Sequence, residues 1–265
     1  MSNSANDRRA SAAAARNAAV GGDKKRERVM RIVGAAVVLV VVAAIIVIAV
    51  VAKNSSKTPV VTPTADPNAA IPTSVFAASS KYAFGVPFGT GTAKVPVLEL
   101  WEDFQCPSCE AVETANGAGI QALATAGKVQ LIYRPTTFLD KNLNNDSSAR
   151  ATAAWGCAID AGKTPQYHNA IYANPPATEG AGFTNDKLLG FASDAGIEGA
   201  ALDKFKTCFD AHKYLSWSAN STEAFYKSGA QGTPYALLNG KPLENAVLAD
   251  KTKLDAAVAA ATVGQ

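Results

Sequence analysis

Between Ile32 and Ala52 the chain reads IVGAAVVLVVVAAIIVIAVVA, twenty-one residues with no charge and no strongly polar side chain. At a helical rise of about 1.5 Å per residue such a run spans about 30 Å, the thickness of bilayer hydrocarbon. The sequence therefore predicts one transmembrane helix, inside an anchor segment at 29–52. A cleaved leader fits less well, because its apolar stretch would be about 7–15 residues and would end in a small-x-small site. Arg16, Lys24, Lys25, Arg26, Arg28 and Arg31 precede the span, while only Lys53 and Lys57 follow it closely. Positive charge beside a short segment stays cytoplasmic, so the N-terminus is expected inside and everything beyond residue 52 outside.

The rest of the chain divides around that anchor. Residues 1–28 are rich in Ala, Asn, Ser and charge without apolar periodicity and predict a disordered cytoplasmic tail. Residues 53–80 carry Pro59, Pro63, Pro67 and Pro72 among Thr, Ser and Ala, the composition of an extended spacer. What remains, 81–265, is one domain of ordinary size. The formal net charge is +3, and topology already accounts for the basic N-terminal residues, so no nucleic-acid partner is required.

Within the domain, Val95–Phe104 (VPVLELWEDF) reads as a largely buried strand. A helix with Val112, Ala115, Gly119, Ile120 and Leu123 on one face follows, and Gly127 ends it. Val129–Tyr133 is a second strand. From about 145 to 228 the pattern turns helical and Ala-rich, with helices expected over Asn185–Ala195, Ala200–Ala211 and Ser216–Ser228. Tyr235–Leu238 and Lys241–Leu243 then flank Asn239-Gly240, a dipeptide suited to the positive φ angles of a tight hairpin. A helix over Asp250–Ala261 closes the chain. Strand–helix–strand, helical block, hairpin, helix describes an α/β domain with a helical insertion.

The four cysteines all lie beyond the anchor, on the side where disulfides persist. Cys106 and Cys109 enclose only two residues, so a bridge between them serves chemistry better than bracing. Cys106 falls at the expected start of a helix, where backbone N–H groups and the helix dipole stabilise a thiolate. Cys109 lies a turn deeper, as suits a resolving thiol. Pro107 fits the first turn, having no N–H to leave unpaired. A structural zinc site would need a second pair of ligands; there is none, and His168 and His212 are not spaced to supply it. Both histidines read as surface or helix residues unconnected with Cys106, and Trp101 and Trp155 as packing.

The segment Glu102-Asp103-Phe104-Gln105-Cys106-Pro107-Ser108-Cys109, set between strand and helix, resembles the DsbA-like branch of the thioredoxin superfamily, especially membrane-tethered actinobacterial members. Gly232-Thr233-Pro234-Tyr235, followed by a strand, is the second match. The resemblance implies a thioredoxin-like fold with an inserted helical domain, and a cis Pro234 that faces the active cysteines. Thr233 and Pro234 would contact substrate, with Pro107 and Ser108 beside them. It also implies a bridge between Cys157 and Cys208 in the insertion, structural rather than a second redox pair. Two features depart from the pattern. Pro107-Ser108 stands where Pro-His is common, which removes a cationic neighbour of the thiolate. The buried acid expected six residues before the first cysteine is replaced by Leu100, and Glu99, one position away, is named as a candidate for proton transfer.

The implied activity is dithiol–disulfide exchange with exported proteins, as an oxidase, without metal or organic cofactor. Reoxidation would fall to a membrane partner of the VKOR or DsbB type. A reductase or isomerase is the rival within the same chemistry, and a non-catalytic binding module the rival outside it.

Overall fold

The computed structural model describes residues 62–91, 94–178 and 180–263. The tail, the anchor and the start of the spacer lie outside these residues, and among the described ones no helix is long and apolar enough to cross a membrane.

A five-stranded sheet organises the domain: β1 (Val86–Phe88), β2 (Val97–Glu102), β3 (Gln130–Pro135), β4 (Tyr235–Leu238) and β5 (Lys241–Leu243), in the order β1-β3-β2-β4-β5. Only β2 and β3 run parallel; the other neighbours are antiparallel. A parallel pair needs a crossover, here α1 (Pro107–Val112), a π-helical turn (Glu113–Gly117) and α2 (Ala118–Thr125). Alternation along β2 sorts its side chains onto two faces. Leu98 and Leu100 enter the main core, whereas Trp101 joins a smaller cluster with Phe225 and Ala230. By the same parity Glu102 falls on the main-core side and Glu99 on the Trp101 side. The hairpin turn has φ 51° at Asn239 and 76° at Gly240. Asn239 also ties the turn to the start of β2, donating from its N–H to the Val97 carbonyl at 2.8 Å and accepting from the Val97 N–H at 2.9 Å.

Helices α3 (Phe138–Leu143), α4 (Ser147–Asp160), α5 (Thr164–Tyr172), α6 (Asn185–Asp194), α7 (Gly199–Asp210) and α8 (Leu215–Lys227) build the insertion. It begins at Phe138, earlier than the expected boundary near 145. α4 is buried from Ser147 to Ile159, and its small residues let neighbours come close: a Cβ at Gly156 would sit 2.7 Å from the Tyr214 ring. After β5 come α9 (Asn245–Leu248) and α10 (Lys251–Val263), which lodges Leu254 and Val258 in the core.

The sequence assigned residues 53–80 to a free spacer; the described part of that stretch docks on the domain. Val75 is buried in the main core and Ile71 packs against it. Thr73 donates twice to Asp160 at 2.9 Å, and Asn220 donates to the Asp66 carbonyl at 2.7 Å. Apolar residues scattered among the prolines supply that docking, and the domain accordingly starts well before residue 81.

Cys157 on α4 is bridged to Cys208 on α7, across a separation of 51 residues. Replacing both cysteines with serine should lower unfolding stability by up to about 4 kcal/mol, the chain-entropy estimate for a loop of this size. Denaturant unfolding measures that loss, and the rate of Cys106 alkylation in the folded protein should not change.

Candidate active site

Cys106 is the N-cap of α1, in extended conformation at φ −78° and ψ 116°, with Pro107 at the first helical position. Its carbonyl accepts from the Cys109 and Glu110 N–H groups, each at 3.1 Å. The loop leading to it is pinned by Asp103, whose carboxyl accepts from the Gln105 and Leu139 N–H groups and the Ser148 hydroxyl. Phe104 packs between the rings of Trp155, His168 and Tyr172. The sulfur is thus held at a helix start by a rigid support. Cys106 is 8% exposed and Cys109 fully buried; the two are unbridged in the structure.

The register of β4 against β2, with Tyr235 opposite Trp101, brings the residues just before β4 beside the start of α1. The Thr233–Pro234 peptide there is cis. Cys106 Sγ, as a thiol, donates to the Thr233 carbonyl at 3.3 Å, and the Thr233 hydroxyl is buried without a hydrogen-bond partner.

These contacts make the two thiols unequal. Cys106 is lowered to about 6, first by the hydrogen bond from the Cys109 thiol, against the opposing effect of burial, then by Thr233 and the Cys109 and Ser108 N–H groups. No cation takes part, so Ser108 in the place of a histidine leaves the main stabilising groups intact. Burial pushes Cys109 well above its ordinary value, helped by its bond to Cys106 and the nearby Glu102 charge. One sulfur is a thiolate at neutral pH and the other a thiol.

Glu99 does not belong to this site. It lies on the other face of β2, ion-paired to Arg134 at 2.7 Å, and Arg134 in turn stacks over the Trp101 ring at 4.2 Å. Strand parity is the reason: a residue one position from Leu100 points away from the cysteines. The acid on the cysteine side is Glu102, 5% exposed and raised to about 8 by burial. Beside it are Glu113, one turn beyond Cys109 and raised to about 8 by burial, and His168 of α5. Oxygens of the two carboxyls and a ring nitrogen of His168 lie within 4.8 Å of one another. The expectation that His168 is unconnected with Cys106 is therefore corrected: it is 1% exposed, held neutral by burial, with Nε2 3.0 Å from Glu102. His212 lies in the turn between α7 and α8, with φ 51°. The parity of Leu98, Leu100 and Glu102, and the four-residue step from Cys109 to Glu113, were readable in the sequence; the approach of His168 was not.

Residues 85–256 match the family model described as thioredoxin. No curated protein matches the chain. Among solved structures, the chain is 26% identical to DsbA from Mycobacterium tuberculosis in its reduced form, with a TM-score of 0.52 over 68% of this chain and 100% of that one. The MdbA thiol-disulfide oxidoreductase from Actinomyces oris is 24% identical, with a TM-score of 0.60 over 74% of this chain and 95% of the other. BdbD from Bacillus subtilis, oxidised, is 19% identical, with a TM-score of 0.58 over 74% of this chain and 100% of the other. The last two likenesses speak to the fold.

A cysteine whose folded pKa lies below its unfolded value stabilises the folded dithiol form at high pH and loses that contribution as pH falls through the folded pKa. With Cys106 at about 6 against an ordinary 9.0, the stability of the dithiol form relative to the disulfide form should rise between those two values. The rise should be on the order of 2 kcal/mol after solvent screening. Paired denaturant titrations of the two redox forms measure it, and the buried carboxyls, present in both, largely cancel.

Proposed function

The chain belongs to the thioredoxin family, and from that premise we propose that it oxidises exported proteins through Cys106 and Cys109 while anchored outside the cytoplasmic membrane by the span at 32–52. It is a protein disulfide oxidoreductase of DsbA type. The observation that carries the reading is the lowered Cys106 thiolate at the start of α1, beside the cis Thr233–Pro234 peptide. A stabilised thiolate favours the dithiol, and so makes the disulfide a stronger oxidant.

In the forward reaction a substrate thiolate attacks Cys106 Sγ, the Cys106–Cys109 bond breaks, and its electron pair leaves on Cys109. A second substrate thiolate then attacks the substrate sulfur of the mixed disulfide, releasing an oxidised substrate and Cys106 as a thiolate. The edge formed by Thr233, Pro234, Pro107 and Ser108 receives the substrate backbone next to that sulfur. Two electrons and one proton, held on Cys109, have entered the dithiol, and a membrane partner of the VKOR or DsbB type removes them. Reduction or isomerisation would use the same atoms with the dithiol as resting state; the low Cys106 pKa favours oxidation.

Equilibration with glutathione should give a reduction potential well above about −270 mV, the thioredoxin value; a value at or below it would assign the protein to reduction. In cells, Cys109→Ala should accumulate mixed disulfides between Cys106 and exported proteins, which further replacement of Cys106 abolishes. Absence of trapped species would contradict the oxidase reading.

A further inference from the structure

Three electron-pair donors from three separate elements converge behind α1. Glu102 comes from the end of β2, Glu113 from the first residue of the π turn and His168 from α5, and one atom of each lies within 4.8 Å of the other two. Acids gathered on a surface have water to balance them. Here Glu102 and His168 are buried and Glu113 is half-buried.

The hydrogen bonds around the trio sharpen the point. His168 Nδ1 lies 3.3 Å from Asn169 Oδ1, an atom that only accepts, so Nδ1 carries the proton of the neutral ring. Nε2 is then a lone pair, and it sits 3.0 Å from Glu102 Oε2, an acceptor when ionised. Glu102 Oε1 and Glu113 Oε1 are buried without a hydrogen-bond partner. Among the described residues no lysine or arginine pairs with either carboxyl. Buried acceptors packed in this way call for a positive centre. A single proton serves two of them, whereas a divalent cation serves all three.

The donor types select the ion. Calcium and magnesium take shells of oxygen, whereas one imidazole nitrogen with two carboxylates is a zinc set, leaving a fourth position for water. A tetrahedral ion held at about 2.0–2.2 Å places its ligand atoms roughly 3.3–3.6 Å apart. With Glu102 and His168 at 3.0 Å and no pair beyond 4.8 Å, small side-chain movements reach that spacing. Asn169 is the partner that orients the ligating ring, the usual arrangement behind a metal-bound histidine, and Gln121 holds it in turn, donating to its Oδ1 at 2.7 Å. Glu113 also lines a pocket of about 240 Å³, whose wall includes the exposed Thr114, Ala118 and Asn169, so the trio has an entrance. A Cβ at Gly117 would lie 2.2 Å from Glu113 Oε2; glycine there keeps the carboxylate in place.

We propose that Glu102, Glu113 and His168 form a three-ligand site for a zinc ion, with Asn169 orienting the imidazole and the fourth position open to the pocket behind α1. The ion would tie the end of β2, the π turn and α5 to one another. This goes beyond the oxidoreductase reading and does not depend on it.

The test uses the full chain in detergent, stripped of metal and then oxidised, so that Cys106 and Cys109 are bridged and cannot ligate. Titrated with zinc against a chromophoric chelator, it should take up one equivalent, and zinc should raise its melting temperature, as any ligand of the native state does. X-ray absorption of the complex should show nitrogen and oxygen at about 2.0–2.2 Å and no sulfur at about 2.3 Å. Asn169→Ala should weaken uptake about 10–100-fold, the usual loss for a partner that orients a ligand, and Glu113→Gln should weaken it further. Melting of each variant without metal separates a lost ligand from a lost fold. No uptake by the bridged wild type would overturn the proposal and leave the three groups sharing a proton. Sulfur around the metal, calcium bound as tightly as zinc, or uptake by Glu113→Gln equal to that of the wild type would overturn it too. If Glu113→Gln does not fold, Asn169→Ala decides, and an unchanged affinity in that variant counts against the site.

Discussion

Hydrogen-bond donors converging on Cys106 Sγ are the constraint on which the rest of the site depends. The Cys109 thiol and the N–H groups of Cys109 and Ser108 favour the charge on one sulfur, and Thr233 lies against it; each comes from an element with its own reason to be there. α1 starts at Cys106 because Pro107 can take the first helical position and Asp103 fixes the loop before it. Thr233 arrives through the pairing of β4 with β2, which the Asn239-Gly240 turn anchors at the other end of the strand. A sheet register and a helix cap thus meet at an atom that needs both.

Behind that sulfur the environment reverses sign. Cys109, Glu102 and Glu113 are all shifted upward by burial, so protons are held behind a thiolate that has given its own away. Neutral His168 and the buried Tyr133 and Tyr172 surround the carboxyls without adding charge. Charge is concentrated where substrate arrives and protons where the resolving thiol lies, an asymmetry that one short helix spans. Pairs of groups with oppositely displaced pKa values are the usual mark of acid–base chemistry.

Much of this was legible in the chain. The hairpin coincides with the bounds read from Asn239-Gly240, and three insertion helices lie within a residue or two of their expected ends, because turn chemistry and helical periodicity are local signals. The Cys106–Cys109 spacing and the Pro107 cap were local too. β1, at three residues, is too short to show a period and exists through its pairing with β3. The π turn hides in a pattern that looks helical on either side. The acid was placed three residues too early, at Glu99 instead of Glu102, because a pattern borrowed from relatives outweighed the parity of Leu98, Leu100 and Glu102. His168 could not be placed at all: its approach to Glu102 depends on how α5 packs against the crossover, and no spacing along the chain encodes that.

The central claim is that Cys106 is ionised near neutral pH while Cys109 is not. Thiolate ultraviolet absorbance of the reduced full chain, followed from acid to alkaline pH, tests it most directly, since the bridged Cys157 and Cys208 contribute nothing. The account predicts a one-thiol step centred near the value of about 6 that is lost in Cys106→Ala. A first step at the ordinary value of 9.0, or one that survives that substitution, would contradict it.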